Sequence, residues 1–180
     1  MALIGLANFH IAKMTAEETA TTAPTYETPF YVIGVVSVSI QPEIETAKLY
    51  GDNMLLASHT RNKGTTLTVG LARLPLEIRA LLFGHEYNNG KMIVGSEDKA
   101  PYFAVMFDAD TDDGKRMFIK YYKVKFAESQ QDIETIGENY DYQTFSIEGT
   151  CAERIDTKKE YEAIETTDTS IATTFYGSVI

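Results

Sequence analysis

The chain has 180 residues, of which 44% are hydrophobic, and this is typical of a chain with a buried core and not of a disordered one. Its formal net charge of −10 disfavours specific binding to nucleic acid, because an acidic surface repels phosphate. Cys151 is the only cysteine, which excludes an internal disulfide and a zinc site made of several cysteines.

The N-terminal segment has no charged region followed by a long apolar run, and no run in the chain approaches the roughly 20 apolar residues that span a bilayer. We therefore expect no signal peptide and no membrane anchoring, and a chain that is made in the cytosol. Residues 15–29 are rich in Thr, Ala and Glu and contain Pro24 and Pro29. This composition predicts a flexible N-terminal arm over residues 1–29.

Strand patterns begin after this arm. Val36, Val38 and Ile40 alternate with polar residues, and Pro42 then predicts an edge strand or a break, because proline lacks the N–H that a central strand needs. A weaker strand follows over 44–50, and Leu67, Val69 and Leu71 alternate in another strand.

Residues 51–64 are too many for a tight hairpin turn, so we predict a long loop there. This loop carries Met54, Leu55 and Leu56, which a solvated loop would not favour. Two interpretations stay open: these side chains fold back on the core, or they contact another subunit.

Residues 75–83 are the one clear helix in the sequence. Pro75 suits the first helical position, and Gly84 suits the left-handed conformation that ends a helix. An apolar face at 3.6-residue spacing is formed by Leu74, Ile78, Leu81 and Leu82. A helix this short needs to place that face on a sheet.

The second half predicts a hairpin of residues 102–107 and 116–126 around the polar turn Asp108–Gly114, with a bulge or burial on both faces near Tyr121 and Tyr122. Calcium binding at this turn is disfavoured, since an EF-hand loop would need glycine at Asp113 and glutamate at Ile119. A strand is predicted over 143–155, with Phe145, Ile147, Gly149, Cys151 and Ile155 on one face. One or two further strands are plausible in the C-terminal segment 157–180.

Together these elements predict a single domain over residues 1–180 of the mainly β (α+β) class, a β-sandwich or barrel with one flanking helix. We find no set of residues for an enzyme: His10, His59 and His85 are far apart, no cofactor motif occurs, and Cys151 lies on the apolar face of its strand. We expect no bound cofactor or metal. The basic residues of the second hairpin strand are expected to pair with carboxylates.

The order of several short segments resembles that of the major tail proteins that build the tail tube of long-tailed, non-contractile bacteriophages. These segments are Gly5-Leu-Ala-Asn-Phe9, Ala47-Lys-Leu-Tyr-Gly-Asp52, Leu74-Pro-Leu-Glu77, Gly84-His85, Ala100-Pro-Tyr-Phe-Ala-Val105, residues 122–126, and residues 135–150 with Tyr142-Gln-Thr144. The resemblance covers nearly the whole chain and is weakest after Ile155.

The resemblance implies a structural, self-assembling subunit of rings, usually hexameric, that stack into a hollow tube. Such a tube surrounds a tape-measure protein, contacts other tail proteins, and later conducts DNA through its lumen without specific binding. The location implied is the phage tail of the virion, after assembly in the host cytoplasm.

Two sets of residues are candidates for this role. The inter-subunit contact candidates lie in the long loop and are Met54, Leu55, Leu56, His59, Arg61 and Lys63. The lumen-facing acidic candidates, which cluster outside the clearest strands, are Glu128, Asp132, Glu134 and Glu138. The alternatives are a monomeric β-sandwich module that binds a ligand or carbohydrate, and another ring-forming tail component.

Overall fold

The computed structural model describes residues 2–129 and 144–180, and these contain eleven strands and two helices. In chain order the elements are Leu3–Ala16 (β1), Thr25–Tyr26 (β2), Phe30–Tyr31 (β3), Val35–Gly51 (β4), Met54–Leu71 (β5), Leu76–Phe83 (α1), Glu86–Asn88 (β6), Lys91–Ile93 (β7), Tyr102–Thr111 (β8), Arg116–Ala127 (β9), Phe145–Cys151 (β10), Tyr161–Thr166 (β11) and Ile171–Gly177 (α2).

A single antiparallel sheet joins nine of these strands in the order β2-β1-β8-β9-β10-β5-β4. Strand β3 pairs with β1, and β11 pairs with the first half of β9, while β10 pairs with its second half. Strands β6 and β7 form a separate small pair. The prediction of a mainly β fold with a flanking helix is confirmed.

The main hydrophobic core collects side chains from strands at both ends of this order. Phe9 and Ile11 of β1 and Val69 and Leu71 of β5 line the same small internal void. Because three other strands separate β1 from β5 in the sheet, the sheet has to curve around this core. Helix α1 closes one side, where Leu82 is buried in the same cluster.

Helix α1 follows its sequence signals closely. The predicted apolar face is correct, since Leu82 is buried and Leu74, Ile78 and Leu81 pack against the core. Gly84 ends the helix in the left-handed conformation, with φ of 75°. Pro75 is the residue before the helix and not its first helical residue, because its ψ of 142° is extended.

The predicted N-terminal arm is wrong for residues 3–16, which form β1 inside the sheet. The sequence pattern did not indicate this strand, because the strand is buried on both faces. Phe9 and Ile11 contact the main core, and Ala12 contacts a second cluster on the opposite face. Asn8, at φ of 51°, lies at an irregularity in the pairing with β8 and shifts the phase of the side chains. Because of the burial on both faces and the phase shift, the segment lacks the alternation of apolar and polar residues that marks a half-buried strand.

The C-terminal segment covers that second cluster. Residues 161–166 form a strand, as predicted, whereas residues 171–177 form a helix that the sequence did not predict. Phe175 and Val179 are buried against Met106 and Phe118 of the sheet. Helix α2 therefore shields the face of the sheet opposite to the main core.

The second hairpin is present as predicted, but its turn is shorter than the predicted Asp108–Gly114, because β8 continues to Thr111 and Asp108 pairs with Phe118 of β9. Strands β8 and β9 pair around a turn in which Gly114 has φ of 75°. The predicted bulge is present, since a register shift near Tyr122 places two residues of β9 opposite one residue of β8. At this point β9 is also buried on both faces. In β10 the alternation is correct up to Cys151, but Ile155 lies beyond the strand and is half exposed.

Candidate interaction surface

The predicted long loop over 51–64 is wrong, because β4 and β5 form one long hairpin that is joined at Asp52 and Asn53. Both turn residues have left-handed backbones, with φ of 49° and 61°, a conformation that Asp and Asn tolerate better than other side chains. Register shifts between Leu49 and Tyr50 and between Glu43 and Ile44 break the two-residue alternation. That loss of period made a strand look like a loop.

We name residues 43–63 of this hairpin the arm. All of its side chains are exposed, and only Gly51 is half-buried. The third strand, β10, supports β5 only as far as Thr65, so beyond that level the arm is a two-stranded ribbon. The nine residues from Glu43 to Gly51 give the arm a length of about 30 Å, close to the diameter of a small domain.

The end of the arm carries a group of large apolar side chains, which we name the tip. Its members are Leu49, Tyr50, Met54, Leu55 and Leu56, and they are between 51% and 64% exposed. A concentration of exposed apolar side chains so far from the core is typical of surfaces that another molecule covers. Of the two interpretations left open by the sequence, folding back on the core is excluded.

The six inter-subunit contact candidates all lie on the β5 side of the arm. Met54, Leu55 and Leu56 belong to the tip, and His59, Arg61 and Lys63 lie between the tip and the body. Sequence reasoning missed Leu49 and Tyr50, which it had placed in an ordinary weak strand. Their position just before Gly51 and the turn residues Asp52 and Asn53 was the signal that could have identified them.

Polar contacts hold the two strands of the arm in register. The Lys63 ammonium lies 3.0 Å from the Glu45 carboxylate, and the hydroxyls of Thr46 and Thr60 lie 3.3 Å apart across the ladder. The three acidic and three basic residues of 43–63 leave the arm with no net charge. The rest of the chain therefore carries the whole formal charge of −10.

Of the four lumen-facing candidates, Asp132, Glu134 and Glu138 lie outside the described residues. Glu128 follows β9, and its carboxylate accepts hydrogen bonds from Arg79 of α1 at 3.1 and 3.2 Å. His85 lies 3.5 Å from the same carboxylate and 2.7 Å from that of Asp98. These contacts attach the end of α1 to the end of β9.

Two buried ionic groups also fix the body. The hydroxyl of Tyr176 donates to the fully buried Asp108, which lies 3.3 Å from the guanidinium of Arg116. The buried Glu18 carboxylate lies 2.8 Å from the Lys123 ammonium. Both groups connect loops or α2 to the sheet, which is a structural role.

The basic residues of β9 behave largely as expected. Two of them pair with carboxylates, Arg116 with Asp110 and Lys123 with Glu18, and Lys115, directly before the strand, pairs with Glu165. Lys120 instead donates to the backbone carbonyls of Ser178 and Val179 at the end of the chain.

Cys151 lies in the main core, as predicted, and burial raises the pKa of its thiol to about 12. It therefore stays protonated and is a poor nucleophile near neutral pH. In the described parts of the chain, no three His, Cys, Asp or Glu side chains are grouped so as to hold a metal ion. No helix within residues 2–129 and 144–180 is long and apolar enough to cross a membrane.

Comparison with protein-family models and with curated proteins finds no match to this chain. Its function therefore has to be inferred from the geometry of the arm and of the sheet.

Proposed function

We propose that this protein is the structural subunit of a bacteriophage tail tube, which assembles with copies of itself into stacked, hexameric rings around a DNA conduit. The arm with its apolar tip is the observation that carries this proposal. A two-stranded ribbon about 30 Å long cannot bury its tip on its own body, but it can reach the body of a neighbouring copy. A subunit whose stable form is the polymer needs such a surface.

The free edge of β4 supports the same proposal. In the described part of the chain, β4 pairs with β5 alone, so its other edge presents unpaired backbone groups over a 17-residue strand. Such an edge is a template for pairing with another chain. Pairing between different edges of neighbouring copies is a heterologous contact, and it closes into a ring when the rotation is right.

The distribution of charge is also suited to a conduit. The arm, which has no net charge, can approach another copy without long-range repulsion, while an acidic wall would keep DNA from adhering to the lumen. We assign Glu128, Asp132, Glu134 and Glu138 to that wall. A high-resolution map of the tube that places all four on the outer surface would refute this assignment.

The tape-measure protein and other tail proteins are the further partners of this proposal. They would meet the rings from inside the tube and at its ends, in the phage tail of the virion.

Electron microscopy of negatively stained protein over a range of concentrations, with light scattering for mass, tests the proposal. We expect rings and hollow tubes. The decisive variant replaces residues 45–61 by an Asn-Gly turn, which shortens the arm to its first cross-strand pair, Ile44 with Asn62, and leaves the body intact. This variant should give folded monomers, confirmed by circular dichroism. If it still forms normal tubes, the arm does not make the contact between rings.

The alternative of a carbohydrate-binding module requires a row of exposed aromatic side chains. Among the described residues the most exposed tyrosines are Tyr31, Tyr50, Tyr87 and Tyr161. They lie on β3, β4, β6 and β11, and no two of these strands pair with each other. The alternative of another ring-forming tail component predicts single rings that do not stack, which the same micrographs distinguish.

A further inference from the structure

The boundary between the arm and the body coincides with the end of the third strand. The last pair between β10 and β5 is Cys151 with Thr65, and Thr65 is buried. One residue further, Gly64 is half-buried, and Lys63 is exposed. Support for β5 from both sides therefore ends within two residues.

An irregularity of the backbone occurs at this same level. Glu43 pairs with Gly64, but the next residue, Ile44, pairs with Asn62, so Lys63 is an extra residue in β5. Gly64 has φ of 143°, which favours glycine, and its N–H donates to the Asn62 side chain at 3.1 Å. A β-bulge of this kind interrupts the ladder and bends the strand.

The segments on both sides of this level are regular. Toward the body, Leu67 and Val69 are fully buried in the three-stranded part of the sheet. Toward the tip, residues 44–49 pair with residues 57–62 without a shift. The other register shift of the arm, between Leu49 and Tyr50, lies close to the turn and can redirect only the tip. A change of direction of the whole arm is therefore easiest at the bulge beside Gly64, because bending within 44–49 or in the body breaks more ladder hydrogen bonds or core contacts.

We propose that Gly64 and the adjoining bulge form a hinge about which the arm swings as a rigid ribbon in the free subunit, and that assembly fixes its direction. This deepens the proposed function, because the arm is the surface assigned there to contact between copies. A subunit that joins a growing end can then seat its tip before its body is fully aligned. The hinge itself is a property of the single chain and can be measured without assembly.

Pulsed electron paramagnetic resonance on spin-labelled full-length protein, diluted to the monomer, tests the hinge. Cys151→Ala supplies a background without a native thiol. Labels at M54C and A163C measure arm to body, labels at I44C and M54C measure within the arm, and labels at E148C and A163C measure within the body. We expect the arm-to-body distances to be spread about twice as widely as those of either control pair.

Two results would overturn the hinge. One is a distribution of arm-to-body distances as narrow as that of the pair within the body. The other is an equally broad distribution of distances within the arm, which would mean that the ribbon is disordered. Gly64→Ala places a methyl group 3.3 Å from the Cys151 carbonyl oxygen in a backbone conformation that disfavours it. It should shift or narrow the arm-to-body distribution, and an unchanged distribution would place the motion elsewhere. Normal tubes with a rigid arm would refute the hinge alone, and a swinging arm without tubes would refute only the proposed function.

Discussion

The carboxylate of Glu18 lies 2.8 Å from the ammonium of Lys123, and the Glu18 side chain is fully shielded from solvent. The backbone N–H of Ile155 donates to the same carboxylate oxygen at 3.3 Å. One side chain thus attaches the segment after β1 to β9 and to the segment after β10. The buried Glu18–Lys123 pair therefore lies where three separate parts of the chain meet.

Removing this carboxylate should destabilise the protein strongly. Glu18→Ala leaves the Lys123 ammonium buried without its partner, which costs about 3–5 kcal/mol of unfolding free energy. Glu17 is the matched control, because it is mostly exposed and lies 3.9 Å from the same ammonium. Glu17→Ala should change the free energy of unfolding by no more than about 0.5 kcal/mol. Urea unfolding at neutral pH measures both values. Equal losses in the two variants would mean that burial of the pair has no energetic role.

The same pair should make the protein sensitive to acid. Burial raises the pKa of Glu18, but the hydrogen bonds from Lys123 and from backbone N–H groups outweigh it and leave the pKa below its usual value. The pair therefore contributes fully above the pKa of the unfolded chain, and the contribution is lost as pH falls through the lower folded pKa. Between those two pH values, the stability difference between wild type and Glu18→Gln should shrink. A difference that is constant with pH would contradict the lowered pKa.

Gly84 and Gly114 offer a second comparison, because both have φ of 75° but differ in their surroundings. A Cβ at Gly84 would lie 2.2 Å from the Lys99 carbonyl oxygen, whereas a Cβ at Gly114 meets nothing within 4 Å. Gly114→Ala should cost about 1–2 kcal/mol for the left-handed backbone alone. Gly84→Ala should cost a further 1–3 kcal/mol or so, because the contact is with backbone that cannot move aside easily. Equal losses in urea unfolding would mean that the segment around Lys99 adjusts freely.

These glycines also show which parts of the fold could be predicted from sequence. Helix α1 and its end at Gly84 were predictable, because one apolar face and one left-handed residue are local signals. The arm could not be predicted in this way, because the register shifts near Lys63 and Leu56 remove the two-residue alternation and because its side chains have no core to face. Helix α2 is short and is stabilised only by contacts with distant strands, which no local pattern records.

Of the candidate site, the sequence predicted the chemistry better than the shape. Three consecutive apolar residues, Met54 to Leu56, drew attention to this segment, and their exposure in the structure is established, while their contact with another subunit stays a prediction. Their place at the end of a projecting ribbon, beside Leu49 and Tyr50, depends on the pairing of β4 with β5. The free edge of β4 likewise follows from the strand order, which sequence periodicity cannot give.

High pH should destabilise the body through four tyrosines, of which Tyr121 and Tyr122 are buried and Tyr26 and Tyr176 are half-buried. Burial is the first cause that raises the pKa of Tyr26, Tyr121, Tyr122 and Tyr176, and the hydrogen bond to Asp108 raises that of Tyr176 further. Their contribution is complete below the unfolded pKa of about 10 and is lost as pH rises above it. Absorbance at 295 nm should therefore show a group of tyrosines that ionise only together with the loss of the circular dichroism signal. If all tyrosines ionise while the protein stays folded, burial does not protect them.

The tip allows a test of assembly that leaves the fold untouched. Leu55→Ser with Leu56→Ser removes two exposed apolar side chains, so the unfolding free energy should change by no more than about 0.5 kcal/mol per residue. Each contact between copies should lose about 3 kcal/mol or more, roughly a hundredfold in the association constant, and tubes should disappear from electron micrographs. Val94→Ser is the control, because Val94 is equally exposed but lies outside the arm. If tubes persist in the double variant and disappear in Val94→Ser, the tip is not the contact surface. The contact would then lie near Val94, in the region of β6 and β7.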